Sequence, residues 1–588
     1  MSQASNKNRF LFSYLPCLVF FLASFIFLGF FADYIFFYQE KLTLFVFSHD
    51  YLSEHLHQPG SLLLYLGKFL STFFFYPVLG AVIVSVIICL IIYLISKILS
   101  LLSGEESILL PLLLGAAIFY LNTNYQYLLY NSLGILLQLS FFYLTIRHLR
   151  GWLPVLFFPI WYFITGGYAW IFGLMFTLYL VLKSLKKDWI KIILFWCLNF
   201  LIIYLLKEFI FYQTAATLLK YPFSNSDTGL QFKLFLPVIG FLILLPVVAR
   251  IKIRFLSRIK IPDSLDKFMP AMISVILIVT SAFLHFDKIY RQYFLVERLF
   301  YQNKLDEVVD YNKKHQSSNK LTIFLNNIAL SETGKLNDQL FHFPQSPDGQ
   351  TLFLKWEMYG EVLRHGGYFY YTIGMINEAH RWAYENMVMK GLSPEGLKML
   401  IKTELINGNY GMAAKYIRIL KKTVFYRNEA SAYQRLLFND KAVNSHPELG
   451  MKRRTKLSGD FFIITDDPYI NIERILAIDS LNRRAFEYKL AFLLLKKNQR
   501  TIVAELPKLE KFGFKKIPLH LEEAAVAFKI LKLGTLPDLG NLTIDPQTEL
   551  RFNQFLQTFQ FYGNNLKTAQ PFLKQKFGNT FWYYAFYH

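Results

Sequence analysis

The chain has 588 residues and a net charge of +21, and it is 54% hydrophobic and 18% aromatic, with 60 Phe and 37 Tyr. That is too apolar for an ordinary soluble protein, and the aromatic content suits lipid-facing helices and interfacial belts. The positive charge does not describe a nucleic-acid surface: much of it lies in short loops between apolar runs, and no basic stripe with interleaved aromatics occurs.

Apolar runs of membrane length crowd the first 290 residues, and the remainder reads like a soluble protein. The sequence therefore predicts an all-α chain in two parts, a polytopic membrane domain over 1–290 and a helical domain over 291–588. Nine spans are expected, near 10–32, 74–96, 107–121, 128–146, 153–166, 168–183, 189–206, 234–250 and 268–286, set against the ~20 residues a crossing helix needs. Lys7 and Arg9 precede the first run as in a signal peptide, but the run is too long and no A-x-A-type site follows. Cys17, Cys89 and Cys197 all sit in apolar runs, which excludes a disulfide framework or a Cys-rich metal site.

Loop charge orients the set. Lys7 and Arg9, Arg147 and Arg150, Lys183 to Lys191, and Arg250 to Lys260 fall on alternate loops. The intervening "NTNYQY" and "ITGG" carry no charge, and only the loop holding Lys207, Lys220 and Lys233 departs from the pattern. The positive-inside rule then puts the N-terminus in the cytoplasm and the C-terminal domain outside, in the periplasm of a Gram-negative cell. A long outer first loop runs from Asp33 to about Thr72. It contains "HDYLSEHLHQPG" (49–60), a Pro59-Gly60 turn and Ser61 as N-cap of an interfacial helix.

In the second half, "GMINEAHRWAYENM" begins at Gly374 and "GNYGMAAKYIRILKK" at Gly408, with Ala379 and Ala413 in register. The spacing matches a tetratricopeptide repeat, whose paired helices approach through small residues. Weaker copies start at Asn303, Gly334 and Asn564; an irregular helical bundle is the alternative. A solenoid of this kind offers a surface to an envelope protein or glycan partner. The acidic pair Asp466-Asp467 before Pro468 reads as a solvated turn.

No P-loop, dinucleotide fingerprint, HExxH or GxSxG occurs. Two features of the outer loop carry chemistry. His49, Glu54 and His57 are candidate ligands for a divalent metal such as Zn²⁺ or Mn²⁺, with Asp50 four residues before Glu54 on a helix. A solvated polar face is the alternative. Asp33 ends the first span among aromatics, where a carboxylate is costly unless paired or wet; a simple helix-end acid in the headgroup region is the alternative there.

An acid just after the first span, a long outer loop with an interfacial helix, further spans and an outer C-terminal domain resemble membrane glycosyltransferases of the GT-C fold, over roughly residues 10–290. The resemblance implies Asp33 or Asp50 as catalytic base or metal ligand. It implies Lys68, Lys207 or Arg291 as the contact to the phosphate of a polyprenyl-linked sugar. No D-x-D motif occurs in the first loop. The segments "QPGSLLLYLGKFLSTFFFYPVLGA" (58–81), "ALSETGKLNDQLF" (329–341) and "NRRAFEYKLAFLLLKKN" (482–498) are similar to a multi-pass family of Bacteroidota, known as a domain of unknown function with a helical-repeat C-terminus. Two functions are therefore expected in competition: a GT-C-like transferase, or a membrane-anchored scaffold. Transport comes third, because the spans hold few charges and no evident inverted repeat.

Overall fold

The computed structural model describes residues 15–104, 108–149, 152–183, 186–211, 213–223, 229–255, 263–357, 360–457 and 467–588. All regular structure among them is helical. The described residues divide into two compact units, Met1–Asp287 with Lys422–Phe425, and Lys288–Lys421 with Tyr426–His588.

In the first unit, the helix Pro77–Ser103 spans 27 residues. It starts on a proline, whose missing N–H costs nothing at that position, and stops at left-handed Gly104 (φ 76°). At ~1.5 Å per residue it exceeds a hydrocarbon core of ~30 Å. Its neighbours approach through glycine: a Cβ on Gly115 would stand 2.4 Å from Ile92, and one on Gly80 would stand 2.7 Å from Phe36. Buried polar side chains pair between helices, as Ser24 with Ser85 (3.0 Å), Asn122 with Ser132 (2.9 Å), and Trp161 with Gln138 (2.9 Å).

The nine expected spans reduce to fewer. Among the described residues, four helices are long and apolar enough to cross a membrane: Pro77–Ser103, Leu129–Arg147, Leu153–Lys183 and Trp189–Phe211. The number rises to six if each bent helix pair counts as one span. The helix Leu109–Asn122 has only 14 residues. The runs 153–166 and 168–183 join through a single 3-10 turn at Gly166–Tyr168. The first run bends by 73° between Leu15–Phe31 and Tyr34–Leu42.

Three irregular stretches of this unit tie one another down. Gly60 N–H donates to the Phe163 carbonyl (2.9 Å), and Gly167 N–H donates to the Tyr221 carbonyl (2.7 Å). The Tyr162 hydroxyl donates to Leu218 O (2.7 Å), and Trp170 Nε1 donates to Leu219 O (3.0 Å). Gly60 (φ 86°) and Gly166 (φ 57°) meet backbone to backbone, and a Cβ on Gly166 would lie 2.5 Å from Tyr221 O. Gly60 therefore takes the N-cap position expected for Ser61. Ser61 becomes the first helical residue, buried, with its hydroxyl 3.4 Å from that of Tyr221.

The second unit is a succession of short helices. Its first, Lys288–Tyr301, is unbroken and buries Tyr293, Phe294, Val296 and Phe300. Leu295 and Leu299 on the same helix are only half-buried. The helices Val362–Ile373 and Pro394–Asn407 each end on a left-handed glycine, Gly374 (φ 89°) and Gly408 (φ 80°). After each turn the next helix returns, and it buries Ala379 or Ala413 completely.

Candidate functional site

The helix His49–Glu54 is capped by Ser48, whose hydroxyl accepts from Tyr51 N–H (3.2 Å). It ends at Glu54, so His57 lies beyond it and its Nδ1 donates to the Ser53 carbonyl (2.6 Å). His49, Asp50, Glu54 and His57 are all exposed. His49, Glu54 and His57 are not gathered into a metal-ligating group: among the described residues, one set of histidine and acid donors lies within 4.8 Å of one another, and it is Glu297, Glu361 and His365.

The inward-facing histidine of this loop is His55, which the sequence reading passed over. Its Nδ1 donates to Tyr51 O (2.7 Å), leaving Nε2 to accept from the Lys68 ammonium (3.3 Å). Lys68 also lies over the Tyr51 ring, 5.7 Å from its centre. Burial pulls the Lys68 pKa down while Glu54 opposes the shift. Burial likewise lowers His55. No carboxylate among the described residues comes within ion-pair distance of Lys68.

The remaining expected residues scatter. Asp33 is half-buried at the N-cap of Tyr34–Leu42, without a side-chain capping bond. Lys207 forms an exposed ion pair with Glu208 in the π-helical turn Lys207–Phe211. Arg291 is exposed on Lys288–Tyr301 and belongs to the second unit, unlike the others. Asp467 caps Pro468–Ile478 by accepting from Tyr469 N–H (2.9 Å), and Asp466 lies outside the described residues.

The second unit contains a cavity of about 280 Å³. Tyr301, Glu332, Tyr368, Tyr371, Glu395, Lys398, Lys402, Glu448 and Lys452 supply its polar wall. Helical spacing places these charges: Glu395 and Lys398 are i,i+3 on Pro394–Asn407, with Lys402 one turn on, while Glu448 and Lys452 are i,i+4 on Pro447–Thr455. Glu448 Oε1 accepts from Lys402 (2.8 Å) and from the Tyr371 hydroxyl (2.8 Å). Lys452 donates to Glu332 Oε1 (2.8 Å) and Thr372 O (3.1 Å) and stands 5.1 Å from the centre of the Tyr371 ring. Lys398 pairs with Glu395 and, at 3.4 Å, with Glu429. Burial would raise the Glu448 carboxyl, but Lys402 and the Tyr371 hydroxyl hold it below its ordinary value. Burial lowers the Lys452 ammonium against the pull of Glu332.

Next to this wall, the Tyr301 hydroxyl meets His365 Nδ1 (3.4 Å), and the Tyr293 hydroxyl meets Nε2 (2.6 Å). Glu297 lies 3.5 Å from the same ring, and Arg364 pairs with Glu361 at 3.3 Å. A permanent guanidinium thus already faces these acids, and the set reads as a buried ion-pair network supporting Tyr301. None of these residues belongs to a sequence motif. Their only signal in the sequence is the helical spacing of Glu395 with Lys398 and of Glu448 with Lys452.

No curated protein and no solved structure matches the chain. Residues 7–588 match the family described as "Family of unknown function (DUF6057)", and the chain belongs to that family.

Proposed function

We propose that this is a non-enzymatic, membrane-anchored binding protein whose helical-repeat domain holds an envelope glycan or protein partner. The observation that carries the reading is the cavity in the second unit, walled by three lysines and three glutamates in interlocking ion pairs. Ion pairs drawn partly out of water recoup their desolvation poorly, so a cavity lined with them is better explained by recognition than by stability. A TPR-like stack is supported by Gly374 and Gly408 and by the left-handed backbone at Asn303, Gly334 and Asn564, where the weaker copies begin. An N-terminus in the cytoplasm and this domain in the periplasm, anchored in the inner membrane, require an odd number of spans, as when one of the two bent helix pairs crosses and the other does not. The test is complementation of a deletion strain by the full chain and by the Lys402→Met/Glu448→Gln variant at equal abundance. Full rescue by the variant removes the reading.

A second reading, the GT-C-like transferase acting on a lipid-linked sugar, draws on Lys68. A half-buried ammonium held by a neutral imidazole and a tyrosine face, with no carboxylate in reach, suits the phosphate of such a donor. It predicts that Lys68→Met and either Asp33→Asn or Asp50→Asn abolish function while the protein still accumulates. Rescue by all three variants excludes it.

A further inference from the structure

We infer that the cavity of the second unit recognises a neutral saccharide unit; the inference rests on the binding reading above and names its ligand class. The cavity wall has hydrogen-bonding capacity left over. Lys402 has three N–H groups and donates one of them, to Glu448. Oε1 of Glu448 takes both of its bonds, from Lys402 and Tyr371, so Oε2 accepts none among the described residues. Oε1 of Glu332 likewise takes the bond from Lys452 and leaves its Oε2 open. The wall thus sets spare donors beside spare acceptors, and a hydroxyl is the group that gives and accepts one bond at the same point.

Charge narrows the choice. Each ammonium already holds a carboxylate, so an incoming phosphate would sit beside three acids. A zwitterion would have to exchange partners with these pairs, giving up as many ionic contacts within the protein as it forms. A polyol bridges Lys402 and Glu448 without separating them. The half-buried ring of Tyr368 in the lining supplies an apolar surface for the C–H side of a pyranose. The volume, about 280 Å³, lies just under the ~300–1,000 Å³ of most ligand pockets and admits a single sugar ring rather than a folded partner.

The test uses the full-length protein in detergent, titrated with the methyl glycosides of glucose, galactose, mannose and N-acetylglucosamine, with glutamine and glucose 6-phosphate alongside. Saturable binding of at least one neutral glycoside is expected. Glu448→Gln and Lys402→Met should weaken it by about tenfold or more, with thermal midpoints close to wild type. Exposed, distant Asp538→Asn should leave it unchanged. No saturable glycoside binding, or tighter binding of glutamine or glucose 6-phosphate, overturns the inference. Complementation by the same variants tests the binding reading separately: if they fail to rescue and no glycoside binds, only the ligand class falls.

Discussion

Gly374 and Gly408, thirty-four residues apart, hold the same left-handed backbone at the same place, the turn between two helices. Their surroundings differ. A Cβ on Gly374 would lie 2.6 Å from the Thr455 carbonyl, whereas the nearest atom to one on Gly408 is an Arg453 nitrogen at 3.8 Å. Gly408→Ala is therefore expected to cost only the left-handed penalty, roughly 1–2 kcal/mol. Gly374→Ala adds a backbone clash and should cost clearly more. Denaturant midpoints of the two variants check the order.

A second close approach lies on the helix that Gly374 ends. Gly366 faces the Trp382 ring, and a Cβ there would come within 2.1 Å of it. Trp382 is fully buried and its indole N–H donates to Glu378 (2.9 Å), so the ring cannot swing aside cheaply. Gly366→Ala should destabilise by about 1–3 kcal/mol or more. Combining it with Trp382→Leu should cost less than the sum of the two single changes. Additive losses in thermal unfolding would show that the ring is not the obstacle.

The pair Lys452–Glu332 is asymmetric, because the Lys452 side chain is 4% exposed while the Glu332 side chain is 18% exposed. Removing the acid strands a buried ammonium. Glu332→Leu is expected to cost about 3–5 kcal/mol, and Lys452→Met less, because water still reaches Glu332. The double variant should be more stable than Glu332→Leu alone. If it is less stable, the pair is not the source of the loss.

His342 titrates in the second unit. Burial, followed by His520, Lys313 and Arg551, pushes it from 6.5 down to about 4. Between those values the unfolded chain binds a proton that the folded chain does not. Stability should therefore fall as pH drops from about 6.5 towards about 4, with this contribution constant below. His342→Gln should flatten that part of the profile relative to wild type, read as thermal midpoints between pH 7 and pH 4. Parallel profiles would mean the histidine is not responsible.

The helical class was legible because apolar periodicity and the absence of strand patterns agree along the chain. The turns were legible because a left-handed backbone selects Gly and Asn: Asn303, Gly334, Gly374, Gly408 and Asn564 all adopt it. The span count was not, since hydropathy marks apolar length and is blind to a 73° bend or to a 3-10 turn that continues a helix. Ser61 failed as a cap because a tertiary contact, Gly60 on Gly166, decides the entry to that helix. The cavity was hidden for a similar reason. Glu332 and Lys452 are 120 residues apart, and nothing local announces that they meet.

The glycine contact of the first unit also fixes an order of assembly. Tyr221 lies 160 residues after Ser61, yet its carbonyl receives the Gly167 N–H and its hydroxyl stands over Ser61. During synthesis the early segments leave the ribosome long before that partner exists. Until Tyr221 emerges, the Gly167 amide lacks the acceptor it has in the finished fold, however fully the earlier helices have formed. A chain cut short before that point is left with an open backbone donor where the finished one is sealed.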